Sequence, residues 1–138
     1  MLTDKRIIEW KGIKMNGELS GREYPRVKTQ NLISHVSMDE EGAVVSRSMG
    51  KALNVSPKGI LLETAHELRP GLISLMSVDL ENHLIEINGK VIYSQKTETQ
   101  KFESGIIFRG TEEQNRAFGQ KLILVFHYRK NGHISQKV

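Results

Sequence analysis

The alternation of short apolar stretches with polar turns is the feature that most constrains the fold of this chain. Between Val27 and Phe108, stretches rich in Val, Ile, Leu and Ser are separated by DEEG, SPKG, RPG, LEN and KTETQK. The polar segments favour turns, and the apolar stretches between them show no helical periodicity. Six strands at near-regular spacing predict an antiparallel barrel or sandwich rather than a parallel sheet. The predicted strands are 27–38, 43–55, 60–64, 72–78, 83–95 and 102–108.

The predicted strand 83–95 is interrupted by Asn88-Gly89. This pair is typical of a tight hairpin turn, but it also fits a bulge inside one longer strand. Both alternatives stay open at this point. The apolar positions that alternate with polar or small neighbours are Ile85, Ile87, Val91 and Tyr93.

One helix is expected after the last strand. Thr111 followed three residues later by Gln114 resembles a capping box. Glu112 and Glu113 suit the positive end of a helix dipole. The run 122–126, LILVF, is β-rich in composition, so a final strand is the competing prediction. Helical spacing is shown by Phe118, Leu122, Val125 and Arg129.

Length and composition bound the remaining possibilities. A chain of 138 residues with one continuous pattern is most simply one domain. It has no cysteine, which excludes disulfides, thiol nucleophiles and thiolate metal sites. The start of the chain lacks the apolar stretch of a signal peptide, and no segment is long enough to span a bilayer. These features predict a cytoplasmic protein.

Positive charge is concentrated at the start of the chain. The net charge is +4, and the first 28 residues hold seven cations against four carboxylates. Within this region the stretch REYPR places Arg22 and Arg26 four residues apart around Tyr24-Pro25. Because proline ends helices and biases the residue before it toward extended backbone, both arginines are expected on an extended or turning linker. By itself the pair is equally typical of a solvated basic linker.

A second motif, NVSPKG, precedes the third predicted strand. Asn54, Ser56 and Gly59 stand at fixed offsets directly before an apolar run. Taken alone, the motif is typical of a Ser/Asn turn with a glycine at positive φ. Arginines on a linker, two strands, and then Asn-x-Ser-x-x-Gly opening a third strand form a far more specific combination.

Together, REYPR and NVSPKG make the chain resemble the PilZ domain family, whose signature is RxxxR followed by (D/N)xSxxG. The resemblance runs from Arg22 to about Phe126 and includes the strand GIIF, residues 105–108. It implies an all-β fold with a C-terminal helix: a six-stranded antiparallel PilZ-type β-barrel. It also implies binding of the bacterial second messenger cyclic di-GMP. No further cofactor and no metal are expected.

The resemblance assigns roles residue by residue. Arg22 and Arg26 would bind the phosphates and guanines, because guanidinium both forks onto phosphate and pairs with guanine O6 and N7. Asn54, Ser56 and Gly59 would form the barrel side of the site. Gly105 is a weaker candidate for a backbone contact. Asparagine at position 54 lacks the charge of aspartate, so somewhat weaker binding is expected.

The implied mechanism is a loose N-terminal linker that folds across the barrel mouth when the nucleotide binds. A protein partner would sense the moved segment. The expected organisation is an extension of unknown role over 1–21, the barrel domain with its helix over 22–129, and a tail over 130–138.

Three other functions are weighed against this one. An enzyme is disfavoured, since no catalytic pattern is present and the histidines show no metal-ligand spacing. The acidic turn 39–41 lacks the ligand spacing of a calcium loop. A DNA or RNA binder usually needs an aromatic platform, and aromatics are 6% of the chain. A PilZ-like protein-interaction module without nucleotide binding is the main alternative. The histidines are His35, His66, His83, His127 and His133.

Overall fold

The structure of the protein is a computed structural model that describes residues 26–130. The predicted extension 1–21, the arginine Arg22 and residues 131–138 of the predicted tail lie outside the described residues. The described part contains seven strands followed by one helix. They are β1 (Val27–Lys28), β2 (Leu32–Met38), β3 (Val44–Val55), β4 (Gly59–Thr64), β5 (Gly71–Val78), β6 (Leu84–Lys96), β7 (Phe102–Phe108) and α1 (Glu112–Lys130).

Six of the strands close into an antiparallel barrel. Their order around the barrel is β3-β2-β5-β6-β7-β4, and pairing of β4 with β3 completes the circle. The seventh strand, β1, pairs with the C-terminal end of β3 through Val27↔Val55 and Lys28↔Asn54. The predicted six-stranded barrel with a C-terminal helix is confirmed, with β1 as one extra strand.

The first predicted strand, 27–38, is in fact two strands. β1 pairs with the end of β3 and β2 pairs with its earlier part, while residues 29–31 connect them. Side chains hold this connection: Thr29 Oγ1 donates to the Ala52 carbonyl at 3.0 Å, and Asn31 Nδ2 donates to the Leu122 carbonyl at 3.1 Å. Since both bonds reach distant residues, local alternation did not reveal the break.

Asn88-Gly89 lies inside the continuous strand β6, so the hairpin alternative is wrong. Gly89 pairs in regular register with Ile73 on one side and Phe108 on the other. A Cβ at this glycine would lie 2.8 Å from Ile106 Cγ2, which shows that close packing requires the glycine. The bulge in this strand comes later, between Val91 and Tyr93.

The expected capping box starts α1. Thr111 N–H donates to Gln114 Oε1 at 2.9 Å, and Gln114 N–H donates to Thr111 Oγ1 at 3.1 Å. Residues of LILVF are helical, so the competing strand is wrong. Tertiary packing overrides their β propensity, because several helix residues are buried and the Phe118 ring meets that of Phe108 edge to face at 5.5 Å. The buried apolar residues of α1 are Phe118, Leu122, Ile123 and Val125.

The core fills the barrel interior and extends to the helix. Inward residues from every barrel strand join Phe118, Leu122 and Ile123 in one cluster. Outward residues of the same strands form the barrel wall, and it is on this wall that the candidate site lies. The interior side chains with the least exposure include Ile33, Ala52, Val55, Leu62, Ile73 and Leu75.

Candidate functional site

The motif residues 54–59 form a tight turn between β3 and β4. Ser56 N–H donates to the Gly59 carbonyl at 2.9 Å, and Ser56 Oγ accepts the N–H groups of Lys58 and Gly59 at 3.1 and 3.2 Å. Ser56 is buried. Because two backbone donors occupy its hydroxyl oxygen, the serine fixes the shape of the turn. Its direct contact with a ligand stays a prediction.

Gly59 is required by packing rather than by backbone conformation. A Cβ at this position would lie 2.4 Å from the Ile106 carbonyl oxygen, closer than real Cβ atoms approach. The positive φ expected from the sequence is wrong, since the described glycines with positive φ are Gly42 and Gly71. The missing side chain brings β4 close to β7, and this closeness holds the turn against the barrel.

Two further contacts support the turn. Phe108 N–H donates to the Lys58 carbonyl at 2.8 Å. Behind the turn lies α1, where a Cβ at Gly119 would stand 2.9 Å from the Ser56 carbonyl oxygen. The turn is therefore backed by both the last strand and the helix, and it presents its other side to solvent.

The two sequence motifs meet through one hydrogen bond. Arg26 Nη1 donates to Asn54 Oδ1 at 2.8 Å, across 28 positions of sequence. β1 makes this contact possible. Its residues Val27 and Lys28, which directly follow Arg26, pair with Val55 and Asn54 of β3 and so bring Arg26 close to Asn54. The structure thus brings Arg26, Asn54, Ser56 and Gly59 to one place. Arg22 lies outside the described residues.

Asn54 belongs to a row of directly paired residues on the barrel wall. The row runs across five strands from β1 through β3, β4 and β7 to β6. Buried neighbours such as Val55 and Ile60 point inward, so the row faces outward. Residues 26–28 thus follow the outer wall. The crossing of the barrel mouth on nucleotide binding concerns the residues before Arg26 and stays a prediction. The row consists of Lys28, Asn54, Leu61, Gly105 and Tyr93.

Two β-bulges determine which residues join this row. The β3–β4 register shifts between Ala52 and Asn54, and the β6–β7 register shifts between Val91 and Tyr93. Ala52 and Val91 are buried, so strict alternation would turn Asn54 and Tyr93 inward as well. The extra residue of each bulge turns them outward instead. The sequence pattern had placed Tyr93 with the inward face, and the bulge is the reason that it does not lie there.

Gly105 lies beneath the ring of Tyr93. A Cβ at Gly105 would stand 2.4 Å from Tyr93 Cε2 and 2.8 Å from Cζ. The glycine is buried, whereas Tyr93 is 46% exposed. The ring therefore occupies the place where a side chain of residue 105 would stand. A backbone contact of Gly105 with a ligand stays a prediction.

The charge of the row favours an anion. Arg26 and Lys28 are exposed at its β1 end, and the row itself holds no carboxylate. The nearest carboxylates on the outward face of β4 and β7 lie two residues along each strand from the row, where Glu63 pairs with Glu103. Lys51 Nζ lies 3.9 Å from Glu63 Oε1 and partly compensates it. Sequence reasoning missed Lys28, Leu61 and Tyr93, since only strand register shows that they share a row with Asn54.

A separate group of titratable residues lies at the β5–β6 hairpin. Ligand atoms of Asp79, Glu81 and His83 all lie within 4.8 Å of one another, a grouping that the sequence analysis did not predict. Backbone N–H donation from His83 lowers the pKa of the Asp79 carboxyl. Asp79 Oδ1 accepts that N–H at 2.8 Å and the N–H of Glu81 at 2.9 Å. These bonds shape the hairpin turn.

Among residues 26–130, no helix combines the length and apolar character needed to cross a membrane. A family model described as the PilZ domain matches residues 20–124. No curated protein matches the chain significantly in sequence.

The chain is also similar to solved structures of K. pneumonia MrkH. It superposes on the MrkH–c-di-GMP complex with a TM-score of 0.53 at 16% identity, covering 80% of this chain and 55% of that one. For MrkH in its apo state the TM-score is 0.47 at 16% identity, covering 77% and 51% of the two chains. The chain thus spans about half the length of these MrkH chains, and the likeness to the complex shows a shared fold.

Proposed function

On the premise that this chain belongs to the PilZ domain family, we propose that it is a receptor for cyclic di-GMP that performs no catalysis. The observation that carries this proposal is the 2.8 Å hydrogen bond from Arg26 to Asn54, which joins the two ligand-binding motifs on one face of the barrel. The MrkH structure of similar fold was solved as a complex with c-di-GMP. The receptor would act in the cytoplasm of a bacterium.

The chemistry of the site suits this ligand. Asn54 is neutral, so its bond to Arg26 leaves the charge of the guanidinium uncompensated. A phosphate oxygen is a stronger acceptor for guanidinium than an amide oxygen is, because the bond is charge-assisted on both sides. When Arg26 moves to phosphate or guanine, Asn54 Oδ1 becomes able to accept a guanine N–H. Ser56 and Gly59 keep the turn in position for this exchange.

Binding would order the segment from Arg22 to Arg26. Fixing five residues costs about 5 to 10 kcal/mol of backbone entropy, whereas each charge-assisted hydrogen bond returns about 1.5 to 3 kcal/mol. Pairing of β1 with β3 already fixes Val27, the residue directly after this segment. The ordering cost therefore falls mainly on the residues before Arg26. A protein partner would detect the ordered segment.

Calorimetric titration tests the proposal. Wild type should bind cyclic di-GMP tightly, and Arg22→Ala and Arg26→Ala should each weaken binding by about 10-fold or more, the effect of losing at least one charge-assisted bond. Arg47→Ala is the matched control, because Arg47 is exposed on β3 about 23 Å along the strand from Asn54. Cyclic di-AMP, with the same charge but different base edges, should bind more weakly.

The same titration addresses the alternative of a protein-interaction module. Absence of binding by the wild type at high micromolar ligand would exclude the receptor role and favour that alternative. Single-stranded DNA serves as the comparison for a general nucleic-acid binder. Fluorescence of Trp10, the single tryptophan, reports whether the N-terminal segment responds to the nucleotide.

A further inference from the structure

We propose that Tyr93 is an additional ligand-binding residue, whose ring stacks on one guanine of the bound dinucleotide. This inference rests on the proposed function and extends it to a residue outside both motifs. Tyr93 lies on β6, 39 positions after Asn54 in the sequence, and reaches the site only through the closed barrel.

The strand register places Tyr93 in line with the proposed site. Asn54 pairs with Leu61, Leu61 pairs with Gly105, and Gly105 pairs with Tyr93. The ring of Tyr93 leans over Gly105, so its exposed surface begins two strands from Asn54, at about 10 Å given an inter-strand spacing near 4.8 Å. A purine stacked on the exposed face of the ring would therefore have its polar edge directed toward Asn54.

The surface between Tyr93 and Asn54 is low and mostly apolar. The Tyr93 ring covers Gly105, and the half-buried Leu61 lies between that ring and Asn54. A guanine at this place would have its edge toward Asn54 and Arg26 and its ring system stacked on the exposed face of Tyr93. Hydrogen-bonding groups for the edge and an aromatic face for the ring are the two elements by which proteins recognise an unpaired base.

The ring is held in place before any ligand binds. The absence of a Cβ at Gly105 lets Tyr93 lie against the backbone of β7, with Cε2 and Cζ within 2.8 Å of the position that this Cβ would occupy. Little side-chain freedom is then lost on stacking. At 46% exposure, the residue still offers about half its surface to a ligand.

The two bulges support the assignment independently. One turns Asn54 outward and the other turns Tyr93 outward, and both residues arrive in the same row. Bulges often occur beside binding sites, where they redirect a side chain. Val91, before the bulge, is 2% exposed, whereas Tyr93, after it, is 46% exposed.

Titration of Tyr93 variants with cyclic di-GMP tests the inference. Tyr93→Leu should bind about 10- to 100-fold more weakly, the range typical of losing one base–aromatic stack. Tyr93→Phe and Tyr93→Trp should bind about as well as wild type, since both keep an aromatic face. Tyr128→Leu is the control, because Tyr128 is 39% exposed but lies about 14 Å along α1 from Gly119.

A spectroscopic measurement separates stacking from a purely structural role. Ring current from Tyr93 should move the guanine H8 proton resonance upfield in the complexes of wild type and Tyr93→Phe, but not in that of Tyr93→Leu. Thermal unfolding of each variant establishes that the titrated protein is folded.

Equal affinity of wild type and Tyr93→Leu, or an H8 shift that persists without the aromatic ring, would overturn the inference and leave the proposed receptor function intact. If the wild type itself does not bind, both fall. Weak binding by Tyr93→Trp and Tyr93→Phe as well as Tyr93→Leu would show that residue 93 acts by packing on Gly105, and would also overturn the inference.

Discussion

Asparagine rather than aspartate at position 54 gives Arg26 no counter-charge at this contact. An aspartate would hold this arginine in an ion pair, whereas the amide oxygen holds it through a single neutral acceptor at 2.8 Å. The incoming phosphate therefore competes with a weaker bond. The same neutrality makes Asn54 a poorer acceptor for guanine N–H groups. The replacement of a carboxylate oxygen by the amide nitrogen of Asn54 thus affects both the release of Arg26 and the strength of base recognition.

His35 makes stability depend on pH. Burial in the barrel lowers the pKa of His35, whose two ring nitrogens have no hydrogen-bond partner among the described residues. The positions directly paired with it, Ser48 and Leu75, carry no charge. The unfolded chain takes up this proton near pH 6.5 and the folded chain only at lower pH. Stability is therefore complete above about pH 6.5 and declines as pH falls toward the folded pKa.

Urea unfolding at pH 7.5 and pH 5.5 measures this effect. Wild type should lose more stability between these values than His35→Gln, which cannot take up the proton. His66→Gln, at an exposed position, should behave like wild type. If His35→Gln and wild type lose the same stability on acidification, burial of His35 is not the source of the pH dependence.

At the scale of the elements, α1 serves the site as well as the core. Its residue Gly119 lies against the turn at Ser56, and its first turn is closed by the capping box of Thr111 and Gln114. The helix therefore determines how far the turn can move inward. Changes in α1 should reach the ligand site through this contact.

Gly119→Ala tests that coupling. Alanine is normally favoured over glycine inside a helix by about 1 kcal/mol. Here its Cβ would stand 2.9 Å from the Ser56 carbonyl oxygen and 3.2 Å from Val55 Cγ1. We expect a net loss of about 1 to 3 kcal/mol, as for other overpacked sites, together with weaker ligand binding. Chemical denaturation and titration measure the two effects.

The exposed position His127 provides the control, since His127→Ala changes the same helix without approaching the turn. That variant should match or slightly exceed the stability of wild type. Increased stability of Gly119→Ala with unchanged affinity would show that α1 and the turn are not coupled.

For the whole molecule, the closed barrel is a rigid support to which the proposed ligand adds contacts. A ligand that binds only the folded state at 100 times its Kd raises the free energy of unfolding by about 2.7 kcal/mol. For a domain of this size the melting temperature should rise on the order of 10 °C. Arg26→Ala should lose most of this rise. Differential scanning calorimetry with and without cyclic di-GMP measures it, and an equal rise in both proteins would contradict the role of Arg26.

Much of the architecture follows from local pattern. Turn-forming segments and alternation placed β3 to β7 to within one residue, whereas the first predicted strand, 27–38, merged β1 with β2. The spacing and cap residues also predicted α1, although the β-rich run LILVF left a strand as an alternative. That ambiguity is physical: intrinsic propensities differ by less than the free energy gained when Leu122 and Val125 are buried.

The amino-acid sequence by itself determined the strand and turn pattern, the helix cap, and the two motifs with Arg26, Asn54, Ser56 and Gly59. Each depends on residues close together in the chain. Only the tertiary structure decided that β1 lies beside Asn54, that bulges turn Asn54 and Tyr93 to the same wall, and that Tyr93 covers Gly105. These features arise from the register between distant strands, and a one-residue shift in register changes the face on which a side chain lies.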